Sequence, residues 1–355
     1  MMSGDFFYRN KIPVAILGAT GCVGQKFIQL LENHPWFQVT ALCASENSCG
    51  KPYKDVVNWM LPTPVPSFIE EMIVQPCLPG MDCQLVFSAL NSEAARTIEL
   101  KFAEAGYLVL SNSSAYRMDP HVPLVVGEVN PDHLELARQQ LTPGKIITNP
   151  NCSVIGLSIA LKPLLDRFGI KSAQIVTLQA ISGGGFPGVA SLDICDNIIP
   201  FIPDEEEKLE REPPKVLGQL KDQKIEPADF IISAACNRVP VTDGHLACVS
   251  VKLNKNAVQQ ELIQAWGEFI GEPQQMQLPT APSKVIYYLE KSSYPQPKLH
   301  RSLDKEMAVS LGRLRVCPVL DFKFVVLSHN TMRGAAGSAL LNAELLVKKG
   351  WVYWS

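Results

Sequence analysis

The sequence predicts an α/β fold in two parts: a doubly wound parallel sheet, then an α+β unit with a large mixed or antiparallel sheet. Three observations carry this. Short apolar runs alternate with helical patterns up to residue 150, and a glycine-rich turn joins the first run to the first helix. From Lys171 onward, long β-rich runs replace that alternation. At 355 residues the chain exceeds one ordinary domain and is long enough for two cores.

The first strand is expected at Val14 to Leu17, and a helix follows through Val23, Phe27, Leu30 and Leu31. Between them stands Gly18-Ala19-Thr20-Gly21-Cys22-Val23-Gly24, a G-x-x-G-x-x-G variant of the Rossmann-type dinucleotide fingerprint. Glycines there let the backbone approach a pyrophosphate, and the helix N-terminus meets its charge. Tight turns use glycine too, so the strand–turn–helix context carries the nucleotide reading. A second strand, Phe37 to Ala44, leads into Ala44 to Lys51, where such domains read the adenosine ribose. Glu46 suits the bare 2′-hydroxyl of NAD, whereas Ser45, Ser48 and Lys51 suit the 2′-phosphate of NADP. The residues alone leave those two open, beside a plain solvated loop.

Further strands are expected at Cys83 to Leu90, Tyr107 to Ser111 and Lys145 to Asn149, with a helix from Ser92 to Ala105. Strand carboxyl ends face the ligand crevice, which brings Cys152 to its edge. Leu157, Ala160, Leu161, Leu164 and Leu165 recur at helical spacing after it. Cys152 should therefore sit at a helix N-terminus, where the macrodipole lowers a thiol pKa. A buried cysteine that merely fills space is the alternative. In the second half, AQIVTLQAIS, ADFIISAAC, HLACVSVKL and DFKFVVLS read as strands. Thr331 to Lys349 reads as a helix returning to the nucleotide part. Arg238 and His245 flank a proline/glycine bend, with His245 either a general base or structural. Asp204 to Lys208 reads as an acidic loop, most simply a solvated charge run. The segment Ser111 to Arg117 either holds an anion through Arg117 or is a capped loop.

Hydrophobic residues make up 46% of the chain and charged ones 19%, a globular composition. A net charge of −3 and a pI near 6.1 argue against nucleic acid as partner. No apolar run reaches the roughly 20 residues of a membrane span, and MMSGDFFYRNKIP lacks a signal-peptide core. The ten cysteines form no C-x-x-C pair and no zinc-like spacing, so reduced thiols in a cytoplasmic protein and no metal are expected. Cys43 and Cys248 read as small core residues.

Taken in order, GATGCVG, ASENSCGK, SNSSAYR, NPNCS, LQAISGGG, EEEK and RVPVTDGH resemble aspartate-β-semialdehyde dehydrogenase, in its archaeal and fungal branch. The resemblance extends through NTMRGAAGSALLNAELL, nearly end to end. It implies NADPH-dependent reduction of L-4-aspartyl phosphate to the semialdehyde through a cysteine thioester, with release of phosphate. That reaction serves lysine, threonine, methionine and isoleucine biosynthesis. It implies Cys152 as nucleophile, His245 as acid/base and Gln179 as the residue that orients substrate. Arg238 would grip the α-carboxylate, Glu205 the α-ammonium, and Lys208 and Arg117 the phosphate, with Asn112 nearby. For NADP it implies Gly18, Thr20, Gly21, Cys22, Val23 and Gly24, then Ser45, Ser48 and Lys51, with Ser182, Gly183 and Asn330 near the nicotinamide. Residues 1–150 and 330–355 would form the NADP-binding domain. Residues 151–329 would form a catalytic and dimerisation domain of a homodimer or homotetramer. Gly184 departs from the pattern, which has alanine there. The rivals are a malonyl-CoA reductase-like enzyme, an N-acetyl-glutamyl-phosphate reductase, and a non-catalytic NADP-binding protein.

Overall fold

The computed structural model describes residues 11–352. The first ten residues of the segment read for a signal peptide and the outer ends of the expected NADP domain lie outside them. The first six strands are β1 (Ile12–Leu17), β2 (Phe37–Ala44), β3 (Gln75–Pro76), β4 (Leu85–Ser88), β5 (Leu108–Ser111) and β6 (Lys145–Thr148). They form one parallel sheet in the order β3-β2-β1-β4-β5-β6. Strand order reverses between β1 and β4, and such a switch point opens a crevice at the strand carboxyl ends. Strands β1, β4 and β5 are apolar and almost continuously buried because helices cover both faces. Helices Cys22–Leu31 and Gly337–Lys348 share one core with β1 and β4. Helix Ser92–Glu104 covers the other face through Phe102 and Ala103.

The second sheet is mixed. It contains β7 (Ile170–Gln179), β10 (Ile231–Arg238), β11 (His245–Leu253), β12 (Ile286–Leu289), β13 (Val309–Val316) and β14 (Phe322–Ser328), with a small hairpin of β8 (Gln219–Lys221) and β9 (Lys224–Glu226) between β7 and β10 in the chain. The order is β10-β7-β11-β14-β13-β12, with parallel pairs at both edges and antiparallel pairs between. Helices Cys152–Phe168 and Gln259–Gly267 pack on its inner face. The outer face is open. Cys248 therefore lies exposed, and only Cys43 of the two expected core cysteines is buried. Strand alternation sends Val249 and Val251 inward and Cys248 outward, where no helix covers it.

Two further expectations change. The acidic run is the start of helix Glu205–Val216, not a loop, and it continues through Pro213 and Pro214. The terminal helix is not uniform: Met332–Ala336 is a π-turn, with Gly334 N–H donating to the His329 carbonyl and Ala336 N–H to that of Thr331. Such turns often occur at functional sites.

Candidate active site

The nucleotide wall is built from backbone. Gly18 adopts φ +77°, and a Cβ on Gly24 would lie 2.3 Å from the Gly18 carbonyl oxygen. Only glycine at these two positions lets the helix start pack on the turn. Gln25 donates from Nε2 to the Thr20 carbonyl at 3.0 Å and fixes the loop. Gly21 caps helix Cys22–Leu31, whose first turn holds no acidic side chain, so its free N–H groups suit an anion. Val23 lies half-buried in that first turn. Ser45, Ser48 and Lys51 share the turn after β2, where Ser48 N–H donates to the Ser45 carbonyl and Lys51 Nζ to that of Asn47. A cleft of about 310 Å³ runs between Cys22, Gln25 and Lys26 on one side and Ser182, Phe186 and Thr242 on the other. Close-approach glycines for a pyrophosphate and a hydroxyl-plus-cation turn for a 2′-phosphate together fit NADP.

The opposite wall is built from strand ends. Arg238 pairs with Gln179 across β10 and β7, and Leu246 pairs with Leu178 across β11 and β7. That register levels Gln179, Arg238 and His245 at one end of three neighbouring strands. All three are buried. Ala180 orients two of them, its carbonyl accepting from Arg238 Nη1 at 2.7 Å and its N–H donating to His245 Nδ1 at 3.1 Å. A neutral His245 ring then carries its proton on Nε2, a buried atom with no hydrogen-bond partner among the described residues. A Cβ on Gly183 would fall 2.7 Å from Arg238 Nη1 and 2.9 Å from His245 Cε1, so this loop lies directly on the pair. The same test on Gly184 meets only Val189 at 3.9 Å, so an alanine would be tolerated there. Asn330 links the loops, donating to Ser182 Oγ at 2.8 Å and accepting from Gly244 N–H at 2.9 Å.

Helix Glu205–Val216 supplies a third wall. Glu205, Lys208, Glu212 and Lys215 share one face by their three- and four-residue spacing. Glu205 is buried, not solvated, and accepts from Gln179 Nε2 and from Asn151 Nδ2, each at 3.0 Å. Lys208 lines a cavity of about 380 Å³ with Arg117 and Arg211. Arg117 is buried against Glu212 at 3.0 Å and donates to the Asn112 carbonyl at 2.8 Å. Asn112 Oδ1 accepts from Asn149, leaving Asn112 Nδ2 buried and without a partner among the described residues. Lys215 donates to the carbonyls of Arg117, Asp119 and Val122 and fixes the loop that carries Arg117.

Cys152 opens helix Cys152–Phe168, with Asn151 as N-cap accepting from Ser153 N–H at 2.8 Å. Its pKa does not fall as the helix position suggests. Desolvation and then Glu205 push it up to about 12, against smaller downward pulls from Arg117 and Arg238. The macrodipole is worth at most about 2 kcal/mol, roughly one and a half pKa units. Burial shifts a group by up to about 3–5 units, so burial wins. His245 moves the opposite way, down to about 3, through burial and then the Arg238 and His329 charges. Both shifts favour the neutral forms, thiol at Cys152 and imidazole at His245.

Sequence reasoning missed Asn151, Glu212 and Lys215, and the fully buried pair of Arg333 and Glu128 at 2.7 Å. The 205–208–212–215 spacing was the available signal for the helix face. The Arg333 pair had none, since 205 positions separate its members and only the fold joins them. Arg333 belongs to the π-turn whose Gly334 abuts Cys152, where a Cβ would lie 2.8 Å from that of Cys152. Among the described residues no histidine, cysteine and carboxylate cluster suits a metal ion.

Comparison with known proteins gives the same assignment along most of the chain. Residues 13–137 match the family described as semialdehyde dehydrogenase, NAD binding domain, and residues 161–333 match semialdehyde dehydrogenase, dimerisation domain. Aspartate-semialdehyde dehydrogenase of Archaeoglobus fulgidus is 48% identical over 96% of this chain and 99% of its own. The enzyme of Saccharomyces cerevisiae is 44% identical over 97% and 100%. The crystal structure of aspartate semialdehyde dehydrogenase with NADP from Candida albicans superposes with a TM-score of 0.90 at 41% identity, covering 97% of this chain and 100% of that one.

Proposed function

The chain belongs to the aspartate-semialdehyde dehydrogenase family, and we infer that it catalyses NADPH-dependent reduction of L-4-aspartyl phosphate to L-aspartate 4-semialdehyde. Phosphate is released, and the product feeds lysine, threonine, methionine and isoleucine biosynthesis. The observation that carries the residue roles is the convergence of Cys152, half-buried, with the buried Gln179, Glu205, Arg238 and His245 from five separate elements. The Cys152 sulfur attacks the acyl carbon as its proton passes to the departing phosphate, the bond between that carbon and the phosphate oxygen breaks, and a thioester forms. Arg117, Lys208 and the unpartnered Asn112 amide hold the departing phosphate. Bound NADPH supplies the hydride to the thioester carbonyl. His245 presents Nε2–H to the carbonyl oxygen as charge develops there, and its low pKa keeps the ring neutral. The oxyanion then collapses, the carbon–sulfur bond breaks, and the Cys152 thiolate released with the aldehyde takes up a proton. Arg238, oriented by Ala180, receives the α-carboxylate through its remaining N–H groups. Glu205 receives the α-ammonium, which a malonyl-CoA or N-acetylated substrate lacks. Steady-state oxidation of the semialdehyde with NADP and phosphate, followed by absorbance of the reduced cofactor, tests this reading. A rate that needs all three components supports it, and a rate indifferent to phosphate overturns it.

The working unit in this reading is a homodimer formed through the open face of the second sheet. Val176, Leu178, Leu246 and Cys248 lie side by side there without a covering helix. Residues 1–150 and 330–355 act as the NADP-binding part, residues 151–329 as the catalytic part. Ten free cysteines suit a reducing, cytoplasmic compartment. No helix among the described residues is long and apolar enough to cross a membrane.

A further inference from the structure

We propose that Glu212 is a positioning residue whose single buried carboxylate ties the phosphate subsite to the nucleophile. The proposal rests on the roles given above to Cys152 and Arg117. Glu212 is 2% exposed and carries no substrate role in that account. Its Oε1 pairs with Arg117 Nη1 at 3.0 Å, and its Oε2 accepts from the Asn151 backbone N–H at 2.6 Å. Asn151 caps the helix that begins at Cys152, so its backbone sets where the sulfur stands. Two turns earlier on the same helix face, Glu205 holds the Asn151 side chain at 3.0 Å. Asn151 is thus gripped at its amide N–H by Glu212 and at its carboxamide by Glu205. The acyl carbon and the phosphate of one substrate must reach Cys152 and Arg117 together. A misplacement of about 1 Å can cost on the order of 100-fold in rate. One carboxylate bonded to both supports fixes that separation.

Chemistry makes the role separable from simple folding. Arg117 and Asn151 each present a donor, and a carboxylate offers an acceptor to each. A glutamine offers one acceptor and turns an N–H toward the remaining donor. Glu212→Gln should therefore impair both sides at once. Glu212→Gln combined with Arg117→Met leaves only the Asn151 donor, which the amide oxygen satisfies.

The experiment uses the full-length enzyme with semialdehyde and NADP. Without phosphate the reaction stops at the thioester, so reduced cofactor appears in a burst whose rate reads Cys152. The steady-state KM for phosphate reads the Arg117 subsite. Glu212→Gln should slow the burst about tenfold and raise the phosphate KM about tenfold. In the double variant the burst should return to within about threefold of wild type while the phosphate KM stays high. Glu212→Asp keeps both acceptors on a shorter stem. It should slow the burst less than glutamine does, and serves if the glutamine variant does not fold. A normal burst in Glu212→Gln overturns the proposal, as does a double variant as slow as the single one. A wild type with no burst would overturn the acyl-enzyme reading itself, and so is distinct from a failure of Glu212 alone.

Discussion

The two facing walls of the cleft are made in opposite ways. The nucleotide wall is local: a 7-residue turn, Gly18 to Gly24, and one further turn after β2 present backbone N–H groups and small or exposed side chains. The catalytic wall is assembled from residues 152, 179, 205, 238 and 245, each buried or half-buried and held by groups from other elements. The first wall works through the absence of side chains and the second through their confinement. Substitutions should therefore fail differently on the two sides.

The largest effect is expected at the nucleophile. Cys152→Ser should lower turnover by about three orders of magnitude or more, because a neutral alcohol replaces the sulfur nucleophile. The Kd for NADP should change less than about twofold. Loss of NADP binding to a similar degree would mean that the walls are not separable. Next comes a matched glycine pair. Gly183→Ala forces a Cβ into the Arg238 and His245 side chains and should cost about 100-fold in kcat/KM. Gly184→Ala, with only Val189 near, should be indistinguishable from wild type in the same assay. Arg238→Lys keeps the charge but loses the planar fork, so the KM for semialdehyde should rise about tenfold or more. Glu205→Gln should cost a similar factor for semialdehyde, while malonyl-CoA remains a poor substrate of the wild type; a wild-type preference for malonyl-CoA would refute the Glu205 assignment. The smallest effect belongs to the open wall. Lys51 is exposed, so Lys51→Ala should weaken NADP by only about fivefold, roughly 1 kcal/mol, and leave NAD unchanged. Equal losses for both cofactors in a binding titration would remove Lys51 from the phosphate contact.

The same contrast explains what could be read from the chain. The fingerprint turn, β2 and the Cys152 helix announce themselves because their periods and glycines are contiguous. The parallel pairing of the first sheet follows from the alternation of strand and helix. By contrast, Gln179, Arg238 and His245 become neighbours only through the register of β7, β10 and β11, which no local pattern encodes. Arg238 and His245 stood out around their proline/glycine bend, but their link to Gln179 was reachable from sequence through motif resemblance alone. The acidic run misled because contiguous charge reads as a solvated loop, whereas it opens helix Glu205–Val216. A run read as loop hides the spacing that brings Glu205 and Glu212 to one face. The sign of the Cys152 shift was out of reach for a different reason. Helix position is visible in sequence, but the desolvation that outweighs it depends on the packed neighbours.

That sign is also the most direct test of the catalytic wall as a site governed by burial. The measurement is the iodoacetamide alkylation rate of the Cys152 peptide, followed by mass spectrometry in the free enzyme from pH 6.5 to 9.5. With the pKa pushed up to about 12, the thiolate fraction grows throughout this range. The rate should rise about tenfold per pH unit without a plateau. A plateau reached below pH 8 would show a preformed thiolate, and the helix terminus rather than burial would then control the nucleophile.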